Sequence, residues 1–224
     1  MLRIAVTVST YRKSQKGSRM PRPANPDLAD RIVRVTAELL AEKGIEGVTM
    51  RAVAVAAGCS ATTIYQRFAS KDELLHSAVV RGLEWFAAAS ASATEGAHGL
   101  TLLSANSHAY VGWGITNPAM YRLIFEQRLP TPAEGAELQR RRSGLERQRQ
   151  MLAGVLSARP TGAVEVDPGV AADTVFVALH GIVSLAISGR LLGPMATVDQ
   201  QLERARVLVD ALLRQWAVSW EVES

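Results

Sequence analysis

Past residue 26, apolar side chains recur at intervals of three and four in one long segment after another. The strict alternation of a half-buried strand occurs nowhere convincing outside the first two dozen residues. A chain patterned this way buries its apolar stripes by packing helix on helix, so the expected fold class is all-α. Its 224 residues leave room for one large domain or two small ones sharing a long element. With 48% hydrophobic and 21% charged residues, wholesale disorder and fibrous repeats are excluded. A single cysteine, Cys59, and four scattered histidines exclude an internal disulfide framework and offer no metal site. That usage suits a reducing, cytoplasmic setting.

The net charge of +4 and the pI near 9.6 suggest a polyanionic partner, but the excess sits at one end. Residues 1–26 carry six cations and no acid, residues 27–76 six and seven, and residues 77–224 thirteen and fourteen. The body is therefore slightly acidic. Residues 1–24 read as a basic leader, disordered or untranslated, because Met20 precedes a Pro-Arg-Pro-Ala-Asn-Pro stretch and is as open a start as Met1. Starting there would bring the net charge to −1. The apolar run at 4–8 is too short for a signal peptide, and no small-residue cleavage pattern follows it. The uncharged run at 174–189 is 16 residues long and contains His180 and Gly181. A span needs roughly 20 apolar residues, so this run reads as a buried helix and no membrane is expected.

Glycine and proline punctuate the helices. Asn25 and Pro26 open the first and Gly44 stops it, with Leu28, Ile32, Val35, Leu39 and Leu40 on one stripe. Thr49 caps a helix at 50–57, and Gly58 is a left-handed terminator. Ser60 then caps a second short helix ending near Phe68. Two short helices joined by so tight a turn form a helix-turn-helix, here at about 49–68 inside a head at 25–72. Ser70 and Glu73 form a capping box for a helix running to about Ala93. Further helices are expected at about 100–115, 118–128, 132–158, 168–191 and 197–219, with Pro118, Pro132, Pro168 and Pro194 at or just before starts. Residues 73–224 then form a second helical unit.

In the second short helix Ile64 and Phe68 face inward, with Ala61 near the same edge, and Thr62, Thr63 and Gln66 are left outward. A helix of this size fits a major groove, where hydroxyls and amides read base edges and a Gln amide can bond adenine at two points. Arg51 can reach a guanine edge or a phosphate, while Lys71, Thr49 and the Tyr65 hydroxyl suit phosphate oxygens. Spacing alone leaves open that these are short capped helices of an unrelated globular domain. The stretch VTMRAVAVAAGCSATTIYQRFASKDELL, however, resembles the DNA-binding region of TetR-type transcriptional regulators across roughly residues 27–80. The resemblance lies in the small-residue helix, the Gly58 turn, the Ile64-Tyr65 pair, Phe68 and the Ser70-Lys71 helix start. It implies that Ala61, Thr62 and Gln66 face bases, that Arg51 can read a base, and that Thr63, Tyr65 and Lys71 grip phosphates. Two positions depart from the pattern: Ala61 offers only a methyl contact, and Cys59 stands where a small aliphatic residue is usual.

The same resemblance implies a helical C-terminal half that dimerises and encloses a small-molecule pocket. NPAMYRLIFEQRLP and FVALHGIVSLAISGRL resemble segments of a TetR C-terminal subclass named for a Trp-His-Gly motif, with Leu179 in place of the Trp. Phe176, Leu179, Val183 and Ile187 share one helix stripe, and Leu202, Val209, Leu212, Leu213, Trp216 and Trp220 share another. Two such helices per subunit can form an isologous four-helix interface, or serve equally as internal core. Candidate pocket residues are Trp85, Phe86, His108, Trp113, Tyr121, Phe125, Met151, Phe176 and His180, the two histidines being the polar anchors or else core histidines. Arg140, Arg141, Arg142, Arg147 and Arg149 read as a solvated helix face.

The resulting expectation is a homodimeric, ligand-responsive transcriptional regulator, usually a repressor, that binds a palindromic DNA operator and needs no cofactor. An enzyme is the first rival, but the sequence has no GxSxG elbow, phosphate-binding glycine loop or HExxH, and no Ser/His/acid set that the helix pattern brings together. A helical adaptor for protein partners is the second, and salt-steep DNA affinity would discriminate against it.

Overall fold

Every regular element among the described residues is helical. The computed structural model describes residues 26–127, 146, 149, 150, 153, 154 and 167–221. The leader, Asn25, Met151 and most of the expected 132–158 helix lie outside the described residues, as do the side chains of Trp216 and Trp220.

Helix α1 (Pro26–Gly47) keeps helical geometry up to Gly44, where φ of 68° turns the chain out of the rod. Only a residue without Cβ adopts that angle cheaply, which is why the sequence-expected stop holds. Ile32, Val33, Ala37, Leu39 and Leu40 are buried along its inner face. Helices α2 (Met50–Ala56) and α3 (Ala61–Tyr65) follow, then α4 (Lys71–Ala93). Together α1 to α4 enclose a first core containing Val48, Met50, Val53, Ile64, Leu74, Leu75 and Val79.

Between this core and a second one runs α6 (Pro118–Tyr121), continued by one π-helical turn (Arg122–Glu126). The second core is built by α5 (Gly99–Thr116), α7 (Pro168–Ile187) and α8 (Val198–Glu221). Its buried residues include Leu103, Tyr110, Val175, Leu179, Val183, Ala205 and Val209. Helix α4 crosses the expected division at 72/73, supplying Leu74, Leu75 and Val79 to the first core and packing Phe86 on the second.

Helix α7 is long and apolar enough to cross a membrane by length and composition. One of its faces, however, is spent on the core: Ala171, Ala172, Val175, Leu179, Val183 and Ala186 are buried. Of the two uses open to the α7 and α8 stripes, internal core therefore takes Leu179, Val183 and Val209, with Phe176, Ile187, Leu202, Leu212 and Leu213 packed against it. The outward faces are different residues, Val170, Val177 and Leu185 on α7 and Val198 and Val207 on α8. Arg149, of the expected arginine face, is exposed and donates to Asp173 of α7 at 2.7 Å.

Candidate nucleic-acid interface and aromatic core

The turn between α2 and α3 is a closed hydrogen-bonded unit. Thr49 accepts the Ala52 N–H at 3.1 Å and so caps α2. At the other end Gly58 adopts φ 64°. There the Cys59 N–H donates to the Ala54 carbonyl at 2.9 Å, and the Gly58 N–H donates to Val55 at 3.1 Å. This pair of reversed bonds satisfies the last α2 carbonyls and aims the chain into the next helix. Ser60 caps α3 by accepting the Thr63 N–H at 3.1 Å.

Ile64 seats α3: it is 0% exposed, and Ala61 and Phe68 pack half-buried beside it. Thr62, Gln66 and Arg51 are exposed, and Tyr65 is 60% exposed. Thr63 is half-buried, with its hydroxyl 2.8 Å from that of Ser60. Lys71 is committed too, since its ammonium donates to the Ile45 carbonyl and ties the start of α4 to the last residues of α1, past the Gly44 kink. The capping box of α4 forms with a shift. Ser70 accepts the Glu73 N–H at 3.1 Å, but the Glu73 carboxylate accepts from Ala69 at 2.6 Å, one residue before the cap.

Trp85 does not join the other pocket candidates. It packs on the first core, with the Arg34 guanidinium 4.4 Å over its ring and that of Arg81 at 5.9 Å. Arg81 in turn donates to Asp30 at 2.9 Å and to Glu84 at 2.9 Å, and these carboxylates push its pKa still further up. Trp85 thus belongs to a clasp between α1 and α4. His108 is also elsewhere: half-exposed, its Nε2 lies 2.8 Å from Asp210 and ties α5 to α8.

The remaining described candidates converge. Phe86 meets the rings of Tyr110, Trp113 and Phe125 edge-on at 5.6, 5.4 and 6.4 Å. Tyr121 lies 4.8 Å from Phe125. The His180 ring is stacked between Tyr121 and Phe176, at 5.6 and 6.1 Å. Through the middle runs a chain of polar atoms, with the Tyr110 and Tyr121 hydroxyls 3.0 Å apart and Tyr121 2.5 Å from His180 Nδ1. Burial is the main cause pushing both phenol pKa values up, and the Glu126 charge adds to it, so both stay protonated. Sequence reasoning missed Tyr110, although its spacing from Leu103 and Ser107 puts it on the inner stripe of α5.

Among the described residues no group of three or more His, Cys, Asp or Glu is placed to hold a metal. The sequence pattern of the bacterial regulatory proteins of the tetR family matches residues 32–78, and that of the tetracycline-repressor-like C-terminal domain matches residues 103–212. The chain belongs to the TetR family. It is accordingly a DNA-binding transcriptional regulator, and the α2–α3 unit lies within the residues that the tetR-family pattern matches. No curated protein matches the sequence.

Solved structures, TetR-family regulators among them, share the fold. The regulator PfmR of Thermus thermophilus is 26% identical, with a TM-score of 0.61 over 83% of this chain and 98% of its own. A tetR-family regulatory protein of Rhodococcus RHA1 is 22% identical, with a TM-score of 0.63 over 85% and 97%. AibR, solved in complex with isovaleryl coenzyme A and operator DNA, is 18% identical, with a TM-score of 0.63 over 84% and 97%. The last two share the fold.

Proposed function

We propose that the protein is a homodimeric repressor that leaves a near-palindromic operator when a small molecule enters the aromatic cluster. The reading rests above all on the seating of α3, where Ile64 is wholly buried while Thr62, Tyr65 and Gln66 of the same segment face outward. A short rod held by one apolar anchor enters a major groove without the protein body following it. In this assignment Gln66 and Thr62 read base edges, Ala61 offers its methyl, and Arg51 reads a guanine edge or a phosphate. Thr49, Thr63, Tyr65 and Lys71 hold phosphates. The Lys71 ammonium has three N–H groups, so it can keep the Ile45 carbonyl and still bind one.

Pairing of subunits falls to the outward faces of α7 and α8, whose Val170, Val177, Leu185, Val198 and Val207 are exposed. Self-complementary docking of those two helices gives a closed two-fold interface. Coupling between effector and DNA is supported by the 118–126 segment, which lies in both cores. Met120 and Leu123 are buried in the first, while Tyr121 is buried in the second and Phe125 packs on it. A ligand that moves Tyr121 thereby moves the packing under the head. To release DNA it must favour the non-binding form by about 1–3 kcal/mol. Leu179-His180-Gly181, similar to the Trp-His-Gly motif, is in keeping with that subclass. AibR, with both an acyl-coenzyme A and operator DNA bound, supports the same two-ligand logic.

Footprinting of the intergenic DNA beside the gene at physiological salt tests the reading. A protected inverted repeat is expected, with half-sites about 34 Å apart, and no protection overturns it. DNA affinity that does not fall with salt would instead favour the adaptor.

A further inference from the structure

The chain Tyr110–Tyr121–His180 has only one proton order that leaves nothing stranded. Tyr110 is 1% exposed and Tyr121 0%, so neither hydroxyl reaches water. Among the described residues the Tyr110 hydroxyl has one hydrogen-bond partner, the Tyr121 oxygen. If His180 Nδ1 donated to Tyr121, then Tyr121 would donate to Tyr110, and the Tyr110 proton would be buried with no acceptor. The order must be the reverse: Tyr110 donates to Tyr121, and Tyr121 donates to His180 Nδ1. Accepting at Nδ1 makes His180 a neutral imidazole whose proton is on Nε2. Among the described residues no group takes that proton.

The surroundings limit what could. The His180 ring is half-buried between Tyr121 and Phe176, with Phe125 edge-on at 6.4 Å, and Phe86, which meets Phe125 and Trp113, is half-buried in the same cluster. Arg122, at the start of the π turn next to Tyr121, is already engaged by the Ile187 carbonyl at 2.9 Å and by Glu126 at 4.0 Å. Glu126 adds a negative field that reaches both phenols. A carboxylate ligand would meet that field with no uncommitted cation among the described residues nearby to offset it.

Resting on the reading of this cluster as the effector site, we infer that it selects a neutral, aromatic or apolar ligand carrying one carbonyl-type acceptor, which His180 Nε2–H grips. The ligand body lies on the aromatic rings, and its acceptor completes the polar chain. Because Tyr121 adjoins Met120, a pull on this chain bears on the segment shared with the head.

The test uses the full chain without DNA and three probes of one size: 2-acetylnaphthalene, 2-ethylnaphthalene and 2-naphthoate. Saturable quenching of tryptophan fluorescence reads binding. The ketone is expected to bind at least tenfold more tightly than the hydrocarbon or the anion. His180→Phe keeps a flat ring between Tyr121 and Phe176, and it should reduce the ketone's advantage to under twofold while the hydrocarbon still binds. A thermal melt checks that the variant folds. Should it not fold, His180→Gln, which retains a donor, is expected to keep a ketone preference of at least threefold. Equal binding of ketone and hydrocarbon, tightest binding of naphthoate, no saturable binding of any probe, or a preference that survives His180→Phe overturns the inference. Each of these outcomes is independent of the footprint, so failure here leaves the DNA-binding reading standing and failure there leaves this one.

Discussion

Replacing Tyr121 by Phe removes one oxygen from the middle of the Tyr110–Tyr121–His180 chain, and its cost follows from the proton order. The rings stay packed, since Tyr121 touches Tyr110 and Phe125 at centroid distances of 6.0 and 4.8 Å that a Phe reproduces. What is lost is the bond donated to His180 and, at greater cost, the acceptor for the hydroxyl proton of Tyr110, a residue 1% exposed whose hydroxyl has no other partner among the described residues. A buried hydroxyl left in that state costs about 1–3 kcal/mol. Tyr110→Phe strands nothing, because Tyr121 still donates to His180, so its cost is that of one ordinary bond, about 0.5–1.5 kcal/mol. In the double variant the stranded hydroxyl disappears. Its cost should therefore fall short of the sum of the singles by about 1 kcal/mol or more. Urea unfolding at one fixed protein concentration measures all four corners, the concentration being held because dimer stability depends on it. Additive costs, or Tyr110→Phe more damaging than Tyr121→Phe, would refute the proton order and with it the donor assigned to His180.

Three further outcomes are expected at the head. Gln66→Ala should weaken operator binding by about 1–3 kcal/mol and relax one base preference; a mobility-shift series over single-base operator variants that shows both unchanged would mean the reading face is misassigned. A Cβ added at Gly58 meets no atom within 4 Å, yet Gly58→Val at φ 64° carries a conformational cost of about 1–2 kcal/mol, so binding to every DNA sequence should weaken together. Lys71→Ala should lower affinity for all sequences alike and reduce the salt slope by about one. It should also lower the melting temperature, because the Ile45 carbonyl loses a charged donor; an unchanged melt would argue against that tie.

Local chemistry made the head legible in the sequence. The Thr49, Ser60 and Ser70 caps, the Gly58 turn and the inward Ile64 each depend on residues within a few positions of one another, so spacing alone specifies them. Even there the Glu73 carboxylate reached one residue further than the pattern implies, to Ala69, a difference of side-chain reach that no spacing rule encodes. The Lys71 bond to Ile45 spans two elements and was invisible for that reason.

The aromatic cluster is the opposite case. Trp85 and Phe86 are neighbours in sequence, but successive residues on a helix point about 100° apart. Helix α4 lies between α1 and α5, so one ring goes to Arg34 and the other to Tyr110. Periodicity showed that α7 and α8 each carry an apolar stripe, while the choice between internal core and a partner subunit depended on where α5 came to rest. That position follows from how the helices pack around two cores, which is a property of the whole chain. Helix identity and the seating of α3 are written in short-range residue patterns; which side chains meet in the aromatic cluster is decided by long-range packing, because those residues come from α4, α5, α6, the π turn and α7 and share nothing in sequence but their apolar character.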